Sequence, residues 1–254
     1  MAVPNHFEGP AASGPPTLPS STWRGVCCSG RVHGLDPDAA MNRPPAVTCL
    51  FVDIGGVLLT NGWDRRIRKR AATHFELELP ELEERHGLTF DTYEEGKITL
   101  EEYLGRVVFY KPRPFTRAQF RRFMFAQSTP YPAMIELVAQ LKARHRLKIV
   151  VVSNEGRELN AYRIGKYRLD RFVDAYVSSC FVHVRKPDTD IFRFALDIAQ
   201  TRVRDVVYIE NTAMFVQVAQ GLGIRSILHE DYESTRARLA SFGLNAEGPG
   251  HEER

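Results

Sequence analysis

The feature that most restricts this chain is an alternation. An apolar run at Val47–Val52 is followed by helical patterning, and from Pro132 onward strand-like and helix-like segments take turns. LKIVVVS (Leu147–Ser153), Asp174–Ser178, DVVYIE (Asp205–Glu210) and Arg225–Leu228 read as strands. Helical spacing covers Pro132–Arg144, Glu158–Leu169, Ile191–Ile198, Ala213–Leu222 and Tyr232–Phe242. Strands joined through helices lie parallel, and a parallel sheet needs helices on both faces. The expected fold is therefore α/β, a doubly wound parallel sheet.

Between the first strand and Pro132 the pattern is helical only, from about Arg66 to Gln127. It breaks at Leu79-Pro80, Gly87, Gly96 and Lys111–Pro114. Thr99 and Glu102 fit a capping box that starts one of these helices. The block reads as an insertion, a helical cap over residues 66–130, with the core formed by 46–65 and 131–243. Residues 1–45 are rich in Pro, Gly, Ala and Ser and lack periodicity, which predicts a disordered extension. Met41 raises an alternative start. Residues 244–254 read as a polar tail.

Composition excludes several classes. The 254 residues are 43% hydrophobic and carry a net charge of +3, without the basic stripe of a nucleic-acid binder. None of the four cysteines has CxxC spacing, so neither a zinc site nor a disulfide framework is expected. A reducing compartment and a cytoplasmic location are the expectation. No apolar run approaches membrane-spanning length, and the N-terminus lacks a secretory layout.

In an open α/β sheet ligands bind beyond the carboxyl ends of the strands. Three of the strands end in polar residues: Asp53, Ser153-Asn154 and Glu210-Asn211. Arg185-Lys186-Pro187-Asp188 lies between the third strand and the next helix. These groups suit phosphoryl chemistry. A carboxylate can attack phosphorus. Two acids on separate strands can hold Mg2+. A serine hydroxyl and backbone N–H groups bind phosphate oxygens, and a lysine neutralises the group in transfer. Gly55 and Gly56 let the chain turn sharply and a ligand approach closely.

Asp53-Ile-Gly-Gly-Val, Ser153-Asn, Lys186-Pro-Asp and Glu210-Asn, in that order, resemble the four motifs of the haloacid dehalogenase-like hydrolase superfamily. GKITLEEYL (Gly96–Leu104), KPDTDIF and VAQGLGI (Val218–Ile224) also match family habits. The resemblance implies a Rossmann-like core with an inserted helical cap. It implies Mg2+-dependent hydrolysis of a small phosphorylated metabolite through an aspartyl-phosphate intermediate. Asp53 would be the nucleophile and a metal ligand, and Lys186 would steady it. Ser153, Asn154 and Gly56 would contact the phosphoryl group. The Gly55 carbonyl and Glu210, directly or through water, would complete the metal site.

Two positions depart from that pattern. Phosphatases of the family normally carry a second aspartate two residues after the nucleophile, where this chain has Gly55. General acid–base catalysis is worth about 10² to 10⁴ in rate, so poor leaving groups should suffer. Asn211 also stands where a second acid is common. Three readings follow: a phosphatase for good leaving groups or with a proton donor from the cap; a weakened or inactive binding protein; and a 2-haloacid dehalogenase. The last is disfavoured because such relatives usually carry a bulkier residue at the Gly55 position. Bland readings stand beside the sharp ones. Asp53 could be a strand-end cap, Ser153-Asn154 an ordinary turn and Lys186 a surface lysine. The cap arginines could be a solvated face, Trp63 a packing residue and Phe109, Phe115, Phe120, Phe123 and Phe125 cap core.

Overall fold

The computed structural model describes residues 46–246. The N-terminal extension and the last positions of the tail lie outside the described residues. The sheet forms as the alternation dictates. β1 (Cys49–Val52) leads into a helical insertion of α1 (Arg65–His74), α2 (Leu79–Gly87), α3 (Phe90–Glu94), α4 (Leu100–Val107) and α5 (Arg117–Ala126). The chain then runs through α6 (Pro132–His145), β2 (Lys148–Ser153), α7 (Arg157–Tyr167), β3 (Ala175–Ser178), α8 (Ser179–Val182) and α9 (Asp190–Ala199). It ends with β4 (Val206–Glu210), α10 (Ala213–Gly221), β5 (Arg225–Leu228) and α11 (Tyr232–Ser241). All strands are parallel, in the order β3-β2-β1-β4-β5.

That order sets the site. Winding proceeds outward from β1 to β2 and β3, then returns across the sheet to β4 and β5. The switch point lies between β1 and β4, where a crevice opens past the strand ends. Val52 pairs with Ile209, and Asp53 N–H donates to the Ile209 carbonyl at 3.0 Å. Asp53 and Glu210 therefore emerge side by side.

The strands are buried on both faces, and two clusters sandwich the sheet. Leu50, Val52, Ile149 and Val151 join α6 and α11 on one side. Phe51, Val150, Val152 and Tyr208 join α9 on the other. Leu244 belongs to the first cluster and Asn245 O meets His145 Nε2, so the polar-tail reading begins too early: an apolar side chain holds the chain at that point.

The helical insertion has its own core. Ala71, Tyr103, Val107, Phe120 and Met124 pack there with Trp63, and the predicted phenylalanine cluster lines it. Thr99 caps α4 with Glu102 in the predicted reciprocal arrangement. Thr116 and Gln119 form a second such box on α5. The insertion rests on the sheet domain partly through Gly96, at φ +66, where a Cβ would come within 2.3 Å of the Cys180 carbonyl. Ser179 Oγ donates to the neighbouring Glu94 carbonyl.

Gly96→Ala is therefore expected to lower stability by about 1–3 kcal/mol, since both the left-handed backbone and the carbonyl contact resist a methyl group. An unchanged urea midpoint would show that this contact does not seat the insertion.

Candidate active site

The centre of the site is a buried ammonium. Lys186 is fully buried, as is Glu210, and Asp53 is 6% exposed. Lys186 Nζ lies 2.6 Å from Glu210 Oε2 and 3.1 Å from Asp53 Oδ1. An ammonium has three donors. Those of Lys186 go to Val152 O at 3.2 Å, Tyr208 OH at 3.1 Å and Glu210 Oε2. Asp53 Oδ1 is thus attracted by the charge but accepts no aligned hydrogen bond, and it remains a buried acceptor without a donor.

Glu210 is nearly consumed. Its Oε2 also accepts from Tyr208 OH, and its Oε1 accepts from Thr212 N at 2.8 Å. Burial, then the Glu210 charge, keeps Tyr208 protonated well above its ordinary range.

Two carboxylates sharing one lysine leave an excess negative charge. Burial first, and then Glu210, push Asp53 up to about 7 against the opposing pull of Lys186. Burial would lower Lys186, but the two carboxylates outweigh it and hold it above the usual lysine range. Both shifts run upward: the ammonium stays charged, and Asp53 ionises less readily than a free aspartate.

The structure brings Asp53, Gly55, Lys186 and Glu210 together but assigns other work to three predicted ligand-contact residues. Asn154 clamps Lys186: its Nδ2 donates to Lys186 O at 2.9 Å and its Oδ1 accepts from Lys186 N at 2.8 Å. The amide thus fixes the lysine's backbone, and Asn154 also lines the cavity. Gly56 N–H donates to Leu59 O, so it is not free for an anion. Gly56 sits at φ +81, and a Cβ there would meet Asn211 Nδ2 at 2.1 Å; its missing side chain makes room for Asn211. Ser153 is buried, and Ile54 N approaches its Oγ at 3.5 Å. It does not line the crevice over Asp53.

A cavity of about 260 Å³ opens over Asp53 and Lys186, roofed by the helical insertion. Trp63 reaches it while packing edge-on against Phe120 and donating to Tyr103 OH. Arg68 also lines it, but its guanidinium is held by Glu83 and Trp63 O, so it is not a free anion trap. Sequence reasoning missed Glu94, Glu155 and Arg163, and gave Arg185 no role apart from Lys186. Glu94 Oε2 lies 2.7 Å from Arg185, which also pairs with Asp91. Glu155 pairs with Arg163, both almost fully buried. Only the adjacency of Arg185 to Lys186, and of Glu155 to Asn154, could have flagged them.

The fit to Mg2+ can be judged from the donors. Asp53 Oδ1 accepts no hydrogen bond; Asp53, Gly55 and Asn211 line the crevice, and the Asn211 amide reaches Gly55 O and Glu210 Oε1. One end of that amide lies 3.0 Å from both Gly55 O and Glu210 Oε1. With nitrogen inward it donates to both; with oxygen inward it completes an all-oxygen cluster. Among the described residues no three His, Cys, Asp or Glu side chains gather as metal ligands. Two carboxylates with neutral oxygens suit a hard cation such as Mg2+ rather than a thiolate-seeking metal.

A parallel sheet with a lysine-gripped carboxylate at its switch point defines a Rossmann-like α/β hydrolase architecture. The haloacid dehalogenase-like hydrolase family matches residues 47–223, well over half of the chain, and the chain belongs to that family. HAD family enzyme bt-2542 from Bacteroides thetaiotaomicron superposes with a TM-score of 0.63 at 20% identity, covering 75% of this chain and 98% of that one. Its complex with magnesium and inorganic phosphate gives 0.62 at 21% identity, covering 75% and 99%. The L-2-haloacid dehalogenase from Xanthobacter autotrophicus gives 0.52 at 15% identity, covering 80% and 85%. At these identities the likeness is one of fold. Among curated proteins, drimenol cyclase drtB of Aspergillus calidoustus is 29% identical over 120 residues, 47% of this chain and 22% of that protein. Rat (Rattus norvegicus) bifunctional epoxide hydrolase 2 is 26% identical over 125 residues, with the same shares. The chain thus matches about a fifth of the length of these relatives. Among the described residues no helix is long and apolar enough to cross a membrane.

Two outcomes follow. Lys186→Met should destabilise the protein by about 3–5 kcal/mol at pH 8, because it strands two buried carboxyls; a smaller loss in urea melts would mean the carboxyls are already neutral. Glu94 gives a pH test. Burial raises it to about 7 from 4.5, against Arg185. The folded state then holds a proton that the unfolded state has released, so stability falls as pH rises through that window. Glu94→Gln should flatten the decline between pH 5 and 8 by about 1–3 kcal/mol; an unaltered slope would mean Glu94 does not titrate there.

Proposed function

We propose that this protein is a Mg2+-dependent phosphoric monoester hydrolase acting on small phosphorylated metabolites, with Asp53 as the nucleophile. The observation that carries this reading is Asp53 and Lys186 facing one roofed crevice, with Glu210 buried against the same lysine and Asp53 Oδ1 accepting no hydrogen bond. Asp53, the Gly55 carbonyl, Glu210 Oε1 and the Asn211 oxygen would hold the metal. Bound there, Mg2+ supplies charge neutralisation to the phosphoryl oxygens. The chain's own residues do the rest. Lys186 keeps Asp53 oriented and offsets charge, Asn154 and Ser153 fix the floor, and the insertion excludes water. The magnesium and phosphate complex of bt-2542 supports the ligand class by analogy of fold.

One observation favours a second reading, a non-catalytic binding protein. With its nitrogen inward, Asn211 satisfies Gly55 O and Glu210 Oε1 without a cation.

The expected result is Mg2+-dependent hydrolysis of p-nitrophenyl phosphate, lost on the order of 10³-fold or more in Asp53→Asn. EDTA should abolish it reversibly. Absence of turnover on a broad phosphate panel, with no thermal shift from Mg2+, would favour the binding protein.

A further inference from the structure

Release of an alcohol from a phosphate ester needs a proton at the departing oxygen, and Asp53, as nucleophile, cannot give it. Besides Asp53, three acidic side chains reach the cavity: Asp64, Glu94 and Glu155. Asp64 caps α1 through Ile67 N. Glu94 is tethered to Arg185 on the roof. Glu155 is the one tied to the nucleophile's own surroundings. It lines the same crevice as Asp53, and its charge contributes to raising Asp53. Its Oε1 receives Arg163 Nη1 at 2.5 Å, and that guanidinium is fixed by Ser128 Oγ at 3.0 Å and Thr60 O at 2.8 Å. The same Nη1 lies 3.9 Å from where a Cβ at residue 55 would stand. A side chain on residue 55 would therefore start beside the guanidinium that holds Glu155.

We propose that Glu155 is the acid–base residue of this site, positioned by Arg163 and standing in for the side chain that Gly55 lacks. The inference rests on the Asp53 phosphatase reading. In the first step Asp53 bonds to phosphorus and the ester P–O bond breaks, its electron pair passing to the alcohol oxygen, which takes the Glu155 proton. In the second, the Glu155 carboxylate takes a proton from water as the water oxygen bonds to phosphorus. The bond from phosphorus to Asp53 breaks, releasing inorganic phosphate and restoring protonated Glu155. Burial, opposed by Arg163, raises Glu155 from its ordinary value, which suits a group that must hold a proton.

The test uses the full chain with Mg2+ and two substrates, glycerol 2-phosphate and p-nitrophenyl phosphate, whose leaving group needs little protonation. Glu155→Gln should lower kcat/KM about 10² to 10⁴-fold for the alkyl ester and less than tenfold for the aryl ester. Because the variant also disturbs a buried ion pair, Gly55→Asp is added to it. The double variant should recover at least ~10-fold of the alkyl activity, since its new side chain starts beside the same Arg163. Equal loss on both substrates without recovery overturns the inference, and wild-type activity that still depends on Asp53 then leaves the phosphatase reading intact. A selective alkyl loss in Glu94→Gln, and not in Glu155→Gln, also overturns it. No wild-type turnover of either ester removes both readings.

Discussion

The whole site depends on one buried cation. Lys186 lies under the crevice with every N–H engaged, and two carboxylates from adjacent strands lean on its charge. An unpaired buried charge costs several kcal/mol, so the lysine is stable there only because Glu210 and Asp53 face it. The reverse also holds. The two acids could not stand at neighbouring strand ends without it, and even with it one negative charge is left over. That surplus makes the crevice an acceptor for a proton or a hard cation.

The architecture delivers these groups with little freedom. β1 and β4 pair in register, so Asp53 and Glu210 are fixed by sheet hydrogen bonds. Lys186 comes from a loop, the least constrained kind of segment, and is held by the paired amide bonds of Asn154. Precision at Asp53 thus derives from a neighbouring strand end, while the helical insertion closes the crevice from above. The insertion has a separate aromatic core. Leu159 and Tyr162 of α7 join that core and tie the insertion to the sheet domain.

The departures from the common pattern have a physical counterpart in the fold. Gly55 removes a side chain, and the space beside it is taken by Asn61 and the Arg163 guanidinium, which carries Glu155. Asn211 replaces a charge with an amide whose nitrogen donates to Gly55 O and Glu210 Oε1.

Much of this was legible beforehand. The strand-helix alternation specifies a parallel sheet because parallel strands require crossovers, and apolar runs ending in Asp53, Ser153 and Glu210 mark where ligands meet such a sheet. The capping box at Thr99 was readable because it is local. Contacts between segments far apart in sequence were not. Asn154 and Gly56 look like ligand-contact residues in a string of letters, yet one clamps a lysine 32 residues away and the other clears space for Asn211. Glu155 and Arg163 read as two charges near a helix start, and only packing reveals that both are buried together beside the vacancy at Gly55. Periodicity and chain geometry determine the elements and the end of the sheet where chemistry occurs. Which polar atoms are satisfied, and which are left for a ligand, is decided by desolvation and donor counting in three dimensions, where every partner must be in place at once.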